Sequence, residues 1–429
     1  MTNVIILFTI FIVLILLRVP IAISLVFSTV FMFWISGTFD LTTVPQTMFT
    51  SINTTTLIAI PGFVFAGTIM SKGGIAKYLI GAMRAWVGHV SGGLSVVTVL
   101  SCAFFAAISG SSPATAAAIG SIMVPTMIEA GYNKRYAMGL VAASGTLGIL
   151  IPPSIPLIVY GVVSSQSIGR LFMAGLLPGI FLTLVLLTYA IIYAKIKGFG
   201  RLEKASWSVR WSSLRKAIWG FFLPILILGS IYSGAATPTE SSIIASAYAI
   251  LVSLFVYRET SLKIWRKILA ETIGITAMIM FIIASAMVFA LYLTQEQIPQ
   301  DLASLMLSVP GLNQVLFFIF TALLFLILGM FLESSAIILI TLPLLLPIML
   351  TLGVNPIHFA VVMIVNMEIA QITPPVGLNL FVISGITKEK LGEVFLGALP
   401  FAAIMLICMV VVIVWPGLSL WLPQFLFDR

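Results

Sequence analysis

Charge is what this chain has least of. Of its 429 residues only 21 are Lys or Arg and 13 are Asp or Glu, 8% in all, whereas 61% belong to the set AVILMFWYC. A soluble domain carries roughly 25% charged residues, so there is too little polar surface here to cover a fold in water. That excludes a cytosolic enzyme, a nucleic-acid binder and a disordered scaffold. Cysteine and histidine are nearly absent too. Cys102 and Cys408 lie in apolar runs, and the two histidines, His89 and His358, are far apart, so neither a disulfide framework nor a zinc-type metal site is readable.

What is present is apolar sequence in quantity. At roughly 20 residues per crossing the chain holds material for well over ten spans, an all-α polytopic membrane protein in contact with lipid. The run from Val4 to Leu17 lacks a basic n-region and a small-residue cleavage signature, and is expected to be a retained first helix. The net charge of +8 is the excess of Lys and Arg expected on cytoplasmic segments. Seven basic residues lie between Lys195 and Lys216 and four between Arg258 and Lys267. The 41 residues from Ala217 to Tyr257 contain none, which predicts two crossings turning outside near Ser233 to Pro238. From Ile268 to Thr387 there is again no basic residue, so the breaks in that stretch face outwards. In the first half, Arg18, Lys72, Lys77, Arg84, Lys134 and Arg135 mark cytoplasmic breaks.

Opposite charge signatures in the two halves suggest an inverted repeat. At a constant offset of 222 residues Pro125 matches Pro347, Gly131 matches Gly353, Pro152-Pro153 match Pro374-Pro375, Gly175 matches Gly397 and Pro178 matches Pro400. With 21 prolines in 429 residues, chance gives about 0.2 proline coincidences over that stretch, against the four found. Paired interruptions in inverted halves are the signature of secondary transporters.

Each half contains an apolar stretch long enough for two spans, broken at its centre. The first runs from Leu94 through Ser109-Gly110-Ser111-Ser112-Pro113 to Ile128, with cytoplasmic charges at both ends; a helical hairpin that enters and leaves on one side fits it best. The second runs from Val315 through Gly329 and Glu333-Ser334-Ser335 to Leu350. A non-helical tip inside the bilayer must be buried in protein or line a wet cavity, because each unsatisfied backbone group in hydrocarbon costs several kcal/mol. After each hairpin comes a helix broken by adjacent prolines, at Pro152-Pro153 and at Pro374-Pro375. Two prolines remove two N–H donors and leave carbonyls three and four residues earlier free to hold a small hard cation, while half-helix N-termini can face an anion. Glu240, Glu333 and Glu368 fall in or beside apolar runs, where a carboxylate hints at function. Glu333, at a hairpin tip, could bind a cation, carry a proton or gate. Glu240 reads equally well as a cap on the helix after Pro238, and Glu368 as a group near a wet helix end. Both histidines read as structural. Two amphipathic segments, Lys72 to Val90 and Gln297 to Val309, are suited to lie along the interfaces.

With these residues in view the chain resembles the large membrane subunit of tripartite ATP-independent periplasmic (TRAP) transporters, the DctM-like and SiaM-like family. The resemblance rests on Arg18-Val19-Pro20-Ile21-Ala22, Ser109 to Ala116, Gly148 to Ser154, Thr237-Pro238-Thr239-Glu240 and Ile372 to Asn379, in that order along the whole chain. It implies an inner-membrane Na⁺-driven importer of an organic acid working by an elevator mechanism, with no organic cofactor, no metal other than Na⁺ and no enzymatic activity. The implied partners are a periplasmic binding protein and a small four-helix membrane subunit, expected as a separate chain since no four-span block precedes Val4. Carried onto this sequence, one Na⁺ site uses Ser109 and Ser111 with carbonyls near Gly145, Gly148, Ile151 and Pro153. A second uses Gly329, Ala370, Thr373 and Val376, and the substrate lies near Ser112, Ser154, Ser335 and Asn379. Ala370 stands opposite Gly148 in the repeat, so identical ion geometry is not expected. Sialic acid is favoured over a C4-dicarboxylate on overall likeness. A proton-coupled anion transporter and, further off, a lipid-linked transferase are the alternatives.

The expected organisation follows. Residues 1–90 are scaffold helices and a cytoplasmic interfacial helix, 91–165 the first hairpin and broken helix, and 166–308 scaffold, a central cytoplasmic loop and the second interfacial helix. Residues 309–386 are the second hairpin and broken helix, and 387–429 a final helix and C-terminus. Both termini are expected in the periplasm.

Overall fold

A computed structural model describes residues 2–37, 42–199, 203–308 and 311–427. Arg201 of the central basic cluster and Val309 at the end of the second amphipathic segment lie outside these residues. Among the described residues there is no strand.

The helices are α1 (Thr2–Leu16), α2 (Ile21–Ser36), α3 (Thr43–Ile52), α4 (Ala59–Lys72), α5 (Ile75–Val87), α6 (Gly93–Ser109), α7 (Ser112–Glu129), α8 (Lys134–Thr146), α9 (Ile155–Ser164) and α10 (Ile168–Lys197). They continue with α11 (Trp207–Tyr232), α12 (Pro238–Leu251), α13 (Leu262–Gln295), α14 (Ile298–Leu307), α15 (Gln314–Gly329), α16 (Ser334–Thr351), α17 (Pro356–Ala370), α18 (Leu378–Thr387), α19 (Leu391–Val414) and α20 (Gly417–Phe427). Among the described residues seven helices, counting α4 with the short turn before it and α12 with the π-turn after it, are long and apolar enough to cross a membrane.

The 222-residue offset maps these elements onto one another. Moved by that offset, α6, α7, α8, α9 and α10 fall on α15, α16, α17, α18 and α19, with starts agreeing to within one residue. The joints repeat as well. Gly131 and Gly353 both take positive φ, +83° and +68°, at the end of each hairpin. Two residues later Asn133 caps α8 through the Tyr136 N–H at 3.2 Å, and Asn355 caps α17 through the Ile357 N–H at 2.9 Å. A left-handed glycine followed by an Asn cap stops one helix and starts the next, so the same punctuation gives the same corner twice. In the other direction the halves differ. The interruption between α3 and α4, at Asn53 and Thr54, has no counterpart in the continuous 34-residue α13.

Both expected hairpins and both broken helices are present, the latter with cis Pro152–Pro153 and Pro374–Pro375 peptide bonds. The turn expected between Ser233 and Pro238 lies between α11 and α12. The C-terminal stretch holds two helices where one was expected: Trp415-Pro416 ends α19, and α20 folds back to pack against α10. A proline cannot continue the hydrogen-bonded ladder, so the apolar run reads as one element but breaks into two.

Packing divides the helices into two groups. α10 and α19 lie against the hairpins and broken helices, α19 most extensively against α8, whereas α1–α5 and α11–α13 pack largely among themselves and α14 lies mainly against α16 of the second hairpin. The α8–α19 crossing is a backbone contact between Gly139 and Gly397, each so close to the other helix that a Cβ would overlap it. Beside it Lys134 pairs with Glu389 at 2.5 Å and Arg135 with Glu393 at 2.5 Å.

Candidate functional site

Both hairpin tips are folded back onto the proline breaks. In the first repeat the Ile155 N–H donates to the Gly110 carbonyl at 3.2 Å, and in the second the Gly377 N–H donates to the Met330 carbonyl at 3.1 Å. One backbone bond therefore fastens each tip to the break that follows it, which answers how non-helical backbone survives at this depth. Gly110 adopts φ +62°, and a side chain there would crowd the Pro153 carbonyl at 2.9 Å.

The first tip gathers oxygens. The Ser109 and Thr115 hydroxyls lie 2.8 Å apart. Each also approaches the Ser111 carbonyl, Thr115 at 2.8 Å and Ser109 at 3.3 Å. Gly148 closes this triangle from the α8 side: a Cβ on it would stand 2.6 Å from the Ser111 carbonyl oxygen and 2.7 Å from Thr115 Oγ1. Gly145, one turn earlier, lies equally close to Ala116. Pro152 and Pro153 cannot donate to the carbonyls of Gly148 and Ile149. The Ile149 carbonyl accepts instead from the Ser154 hydroxyl, while no bond to the Gly148 carbonyl is present among the described residues. Ile151 directs its side chain against Gly179 of α10. Thr115 was not among the expected ligands. It lies one helical turn into α7, beyond the Ser-Gly-Ser-Ser tip where the polar signal is strongest.

The second tip is built differently. Gly329 packs on Ala370, where a Cβ on Gly329 would be 2.5 Å from that of Ala370. Thr373 donates to the Ile369 carbonyl at 2.7 Å, and Val376 is half-buried beside it. The carbonyls freed by Pro374 and Pro375 find backbone partners here: Ala370 accepts from the Thr373 N–H at 3.1 Å and Gln371 from the Asn379 N–H at 3.1 Å. At the positions equivalent to Ser109, Ser111 and Thr115 stand Phe331, Glu333 and Ile337, so the hydroxyl triangle has no twin. Glu333 spends its carboxylate on the start of α16, accepting from the Ser335 N–H at 2.8 Å and the Ser335 hydroxyl at 3.2 Å.

Asn379 joins the repeats. Its Oδ1 accepts from the Ser112 hydroxyl at 3.0 Å and its Nδ2 donates to the Ala142 carbonyl at 2.9 Å, with no exposure of the side chain. Ser112 and Asn379 are thus brought together, while Ser154 faces its own break. Asn379→Ala should leave the buried Ser112 hydroxyl without its partner and cost about 1–3 kcal/mol, read as a lowered unfolding midpoint in detergent.

A cavity of about 300 Å³ lies under the first tip, bordered by Ser111, Ser112, Pro113, Ile155, Glu333 and, from α13, Glu271. Glu271 pairs with Lys72. Three helix starts border this cavity: the N–H ends of α7 and α9 carry partial positive charge suited to an anion, while that of α16 is already capped by the Glu333 carboxylate.

The other carboxylates resolve separately. Glu240 forms a full capping box with Thr237, its Oε2 accepting from the Thr237 N–H at 2.8 Å. Glu368 is wholly buried, with neither carboxylate oxygen reaching a donor among the described residues. The expectation of a wet helix end fails there, because α19 covers that side of α17 and brings Cys408 close to the carboxyl group. His89 Nδ1 is 3.3 Å from an Arg210 guanidinium nitrogen, and His358 Nδ1 is 3.2 Å from the Ser419 hydroxyl, both in structural settings.

Comparison with known proteins gives the family. The family described as tripartite ATP-independent periplasmic transporter, DctM component, matches residues 8–418. The C4-dicarboxylate TRAP transporter large permease protein DctM of Pseudomonas aeruginosa is 48% identical over 86% of this chain and 87% of its own. The sialic acid TRAP transporter large permease protein SiaM of Vibrio cholerae is 35% identical over 94% of this chain and 95% of its own. The crystal structure of the Alcanivorax borkumensis YdaH transporter superposes with a TM-score of 0.65 over 89% of both chains at 16% identity, a likeness of fold alone. This chain belongs to the DctM family, the large permease components of TRAP transporters.

Proposed function

We propose that the chain is the permease of a Na⁺-driven importer of a small dicarboxylate, working by an elevator movement. The observation that carries the ion assignment is the oxygen triangle of Ser109, Ser111 and Thr115 backed by Gly148, whose carbonyl is left free by Pro152. Hydroxyl and carbonyl oxygens at this spacing are ligands for a hard cation. The second ion site is expected to be weaker or different in kind, using Thr373 and the carbonyls around Gly329, Ala370 and Val376.

The substrate argument rests on size and likeness. A cavity of about 300 Å³ is at the small end of ligand pockets and suits a four-carbon diacid better than a nine-carbon sugar acid. The relative at 48% identity carries the C4-dicarboxylate name and the one at 35% the sialic acid name, which turns the sequence-based leaning towards sialic acid the other way. The starts of α7 and α9 and the Ser112 hydroxyl are the groups offered to its carboxylates, the start of α16 being already capped by Glu333. The moving body is the packed group of both hairpins, both broken helices, α10 and α19; α1–α5 and α11–α13 hold it in the inner membrane beside the small subunit, with α14 packed on α16, and a periplasmic protein delivers the acid.

Uptake of labelled succinate into proteoliposomes that contain the small subunit and the binding protein is expected to follow an inward Na⁺ gradient. Uptake that ignores Na⁺ and follows a proton gradient would reject the ion assignment, and a sialic acid imported in preference to succinate would reject the substrate. Thr115→Val and Ser109→Ala each remove one oxygen at little change of volume. Each should raise the half-saturating Na⁺ concentration about tenfold, the effect of losing 1–2 kcal/mol of ligation.

A further inference from the structure

We propose that the crevice between α5 and the N-terminal half of α11 binds the phosphate headgroup of an anionic membrane lipid. The two helices run antiparallel. Ile75 packs on Gly220 at one end, and at the other the Trp86 Nε1–H donates to the Arg210 carbonyl at 3.2 Å. Between them lies a space of about 580 Å³ bordered by Lys77, Arg84 and Lys216 and by the hydroxyl residues Ser208, Ser212 and Ser213. Lys77 stands 3.5 Å from Glu259. Arg84 and Lys216 have no carboxylate in ion-pair reach among the described residues. Gly81 keeps part of the wall bare, since a Cβ there would meet nothing within 4 Å. Ser213 donates its hydroxyl to the Arg210 carbonyl at 2.8 Å, which leaves Ser208 and Ser212 beside the cations, and cations beside hydroxyl donors are the chemistry that recognises a phosphodiester.

Two features favour a lipid over a free anion. Trp207 and Trp211 are 64% and 60% exposed and stack edge-on against Trp86 at 6.1 and 5.9 Å, an aromatic belt of the kind that marks the membrane–water boundary. Next to the crevice, sharing Ser212 with it, a second space of about 570 Å³ is bordered by Trp211, Leu214, Arg215 and Ile218, whose apolar side chains offer acyl chains a path beside a further cation. The wall is completed by Ile122 of α7, so the lipid touches both the first hairpin and the interfacial helix α5.

Native mass spectrometry of the chain in complex with its small subunit, titrated with phosphatidylglycerol, tests this. In Arg84→Gln/Lys216→Gln, affinity should fall about fivefold for each cation removed, with phosphatidylcholine binding unchanged. Ser212→Leu fills the crevice without altering charge and should lose phosphatidylglycerol as well. Lys263→Gln/Lys267→Gln, elsewhere in the cytoplasmic basic cluster, should bind as the parent does. Equal retention by the parent and the first two variants overturns the proposal, as does an equal loss in the last. Displacement of phosphatidylglycerol by millimolar inorganic phosphate would make this a free-anion site and overturn the lipid assignment.

Discussion

Gly148→Ala is expected to abolish Na⁺-driven uptake while the protein still inserts and folds. The added methyl would lie 2.6 Å from the Ser111 carbonyl oxygen and 2.8 Å from its carbon, with Thr115 Oγ1 at 2.7 Å. Two of those three atoms are backbone in a hairpin tip fastened to Gly110 and Ile155, so the neighbours cannot turn away as a long side chain would. Overpacking of this kind costs about 1–3 kcal/mol. If the tip shifts to relieve it, the triangle opens and Na⁺ affinity falls by up to about a hundredfold. Uptake measured against Na⁺ concentration checks this, with Gly274→Ala as control, since a Cβ there meets nothing within 4 Å. Unchanged Na⁺ activation in Gly148→Ala would refute the ion site.

Gly397→Ala should be still more damaging, and to folding in place of ion binding. Its Cβ would overlap the Arg135 carbonyl, and Gly139 presses on the Gly397 carbonyl from the other side. Two membrane helices in backbone contact owe their association to close packing of small residues. A methyl at the crossing must push α8 and α19 apart along their whole contact. The expected result is loss of most folded protein, seen by size-exclusion profile and thermal unfolding in detergent. Gly139→Ala should act alike, and the double variant should add little, because either methyl alone separates the helices. The neighbouring Arg135–Glu393 pair makes the contrast: it is exposed and screened by solvent, so Glu393→Gln should leave the unfolding midpoint nearly unchanged. A large effect of Glu393→Gln beside a small one of Gly397→Ala would show that charge and not close packing holds the crossing.

Much of this architecture is legible in the sequence because it is written in local punctuation. Paired prolines, the Gly131 and Gly353 corners and the charge blocks each act within a few residues, so the hairpins, the broken helices and their equivalence follow from them. Thr115, by contrast, carries no local mark that separates it from any threonine bonding back within its own helix. Only the approach of Gly148, 33 positions away, makes it part of an oxygen cluster. The Gly139–Gly397 contact and the burial of Glu368 under α19 are likewise long-range. Nothing in the periodicity of α19 says which neighbour its glycine face will meet. The placing of α10 and α19 against the hairpins was hidden for the same reason, since both have the composition of ordinary spans.

Asn379 carries one further consequence. Its single amide, held by the α7 hairpin helix on one side and by α8 on the other, makes the polar centres of the two repeats one mechanical object. The first tip is tied in this way to the second broken helix, so in the proposed elevator movement the two should travel together. Leakage through a half-open intermediate is then suppressed by stiffness at the centre, without a dedicated gate at either mouth. On the proposed Na⁺-coupled reading, loosening that amide should appear first as uncoupled Na⁺ flux, before any loss of acid binding.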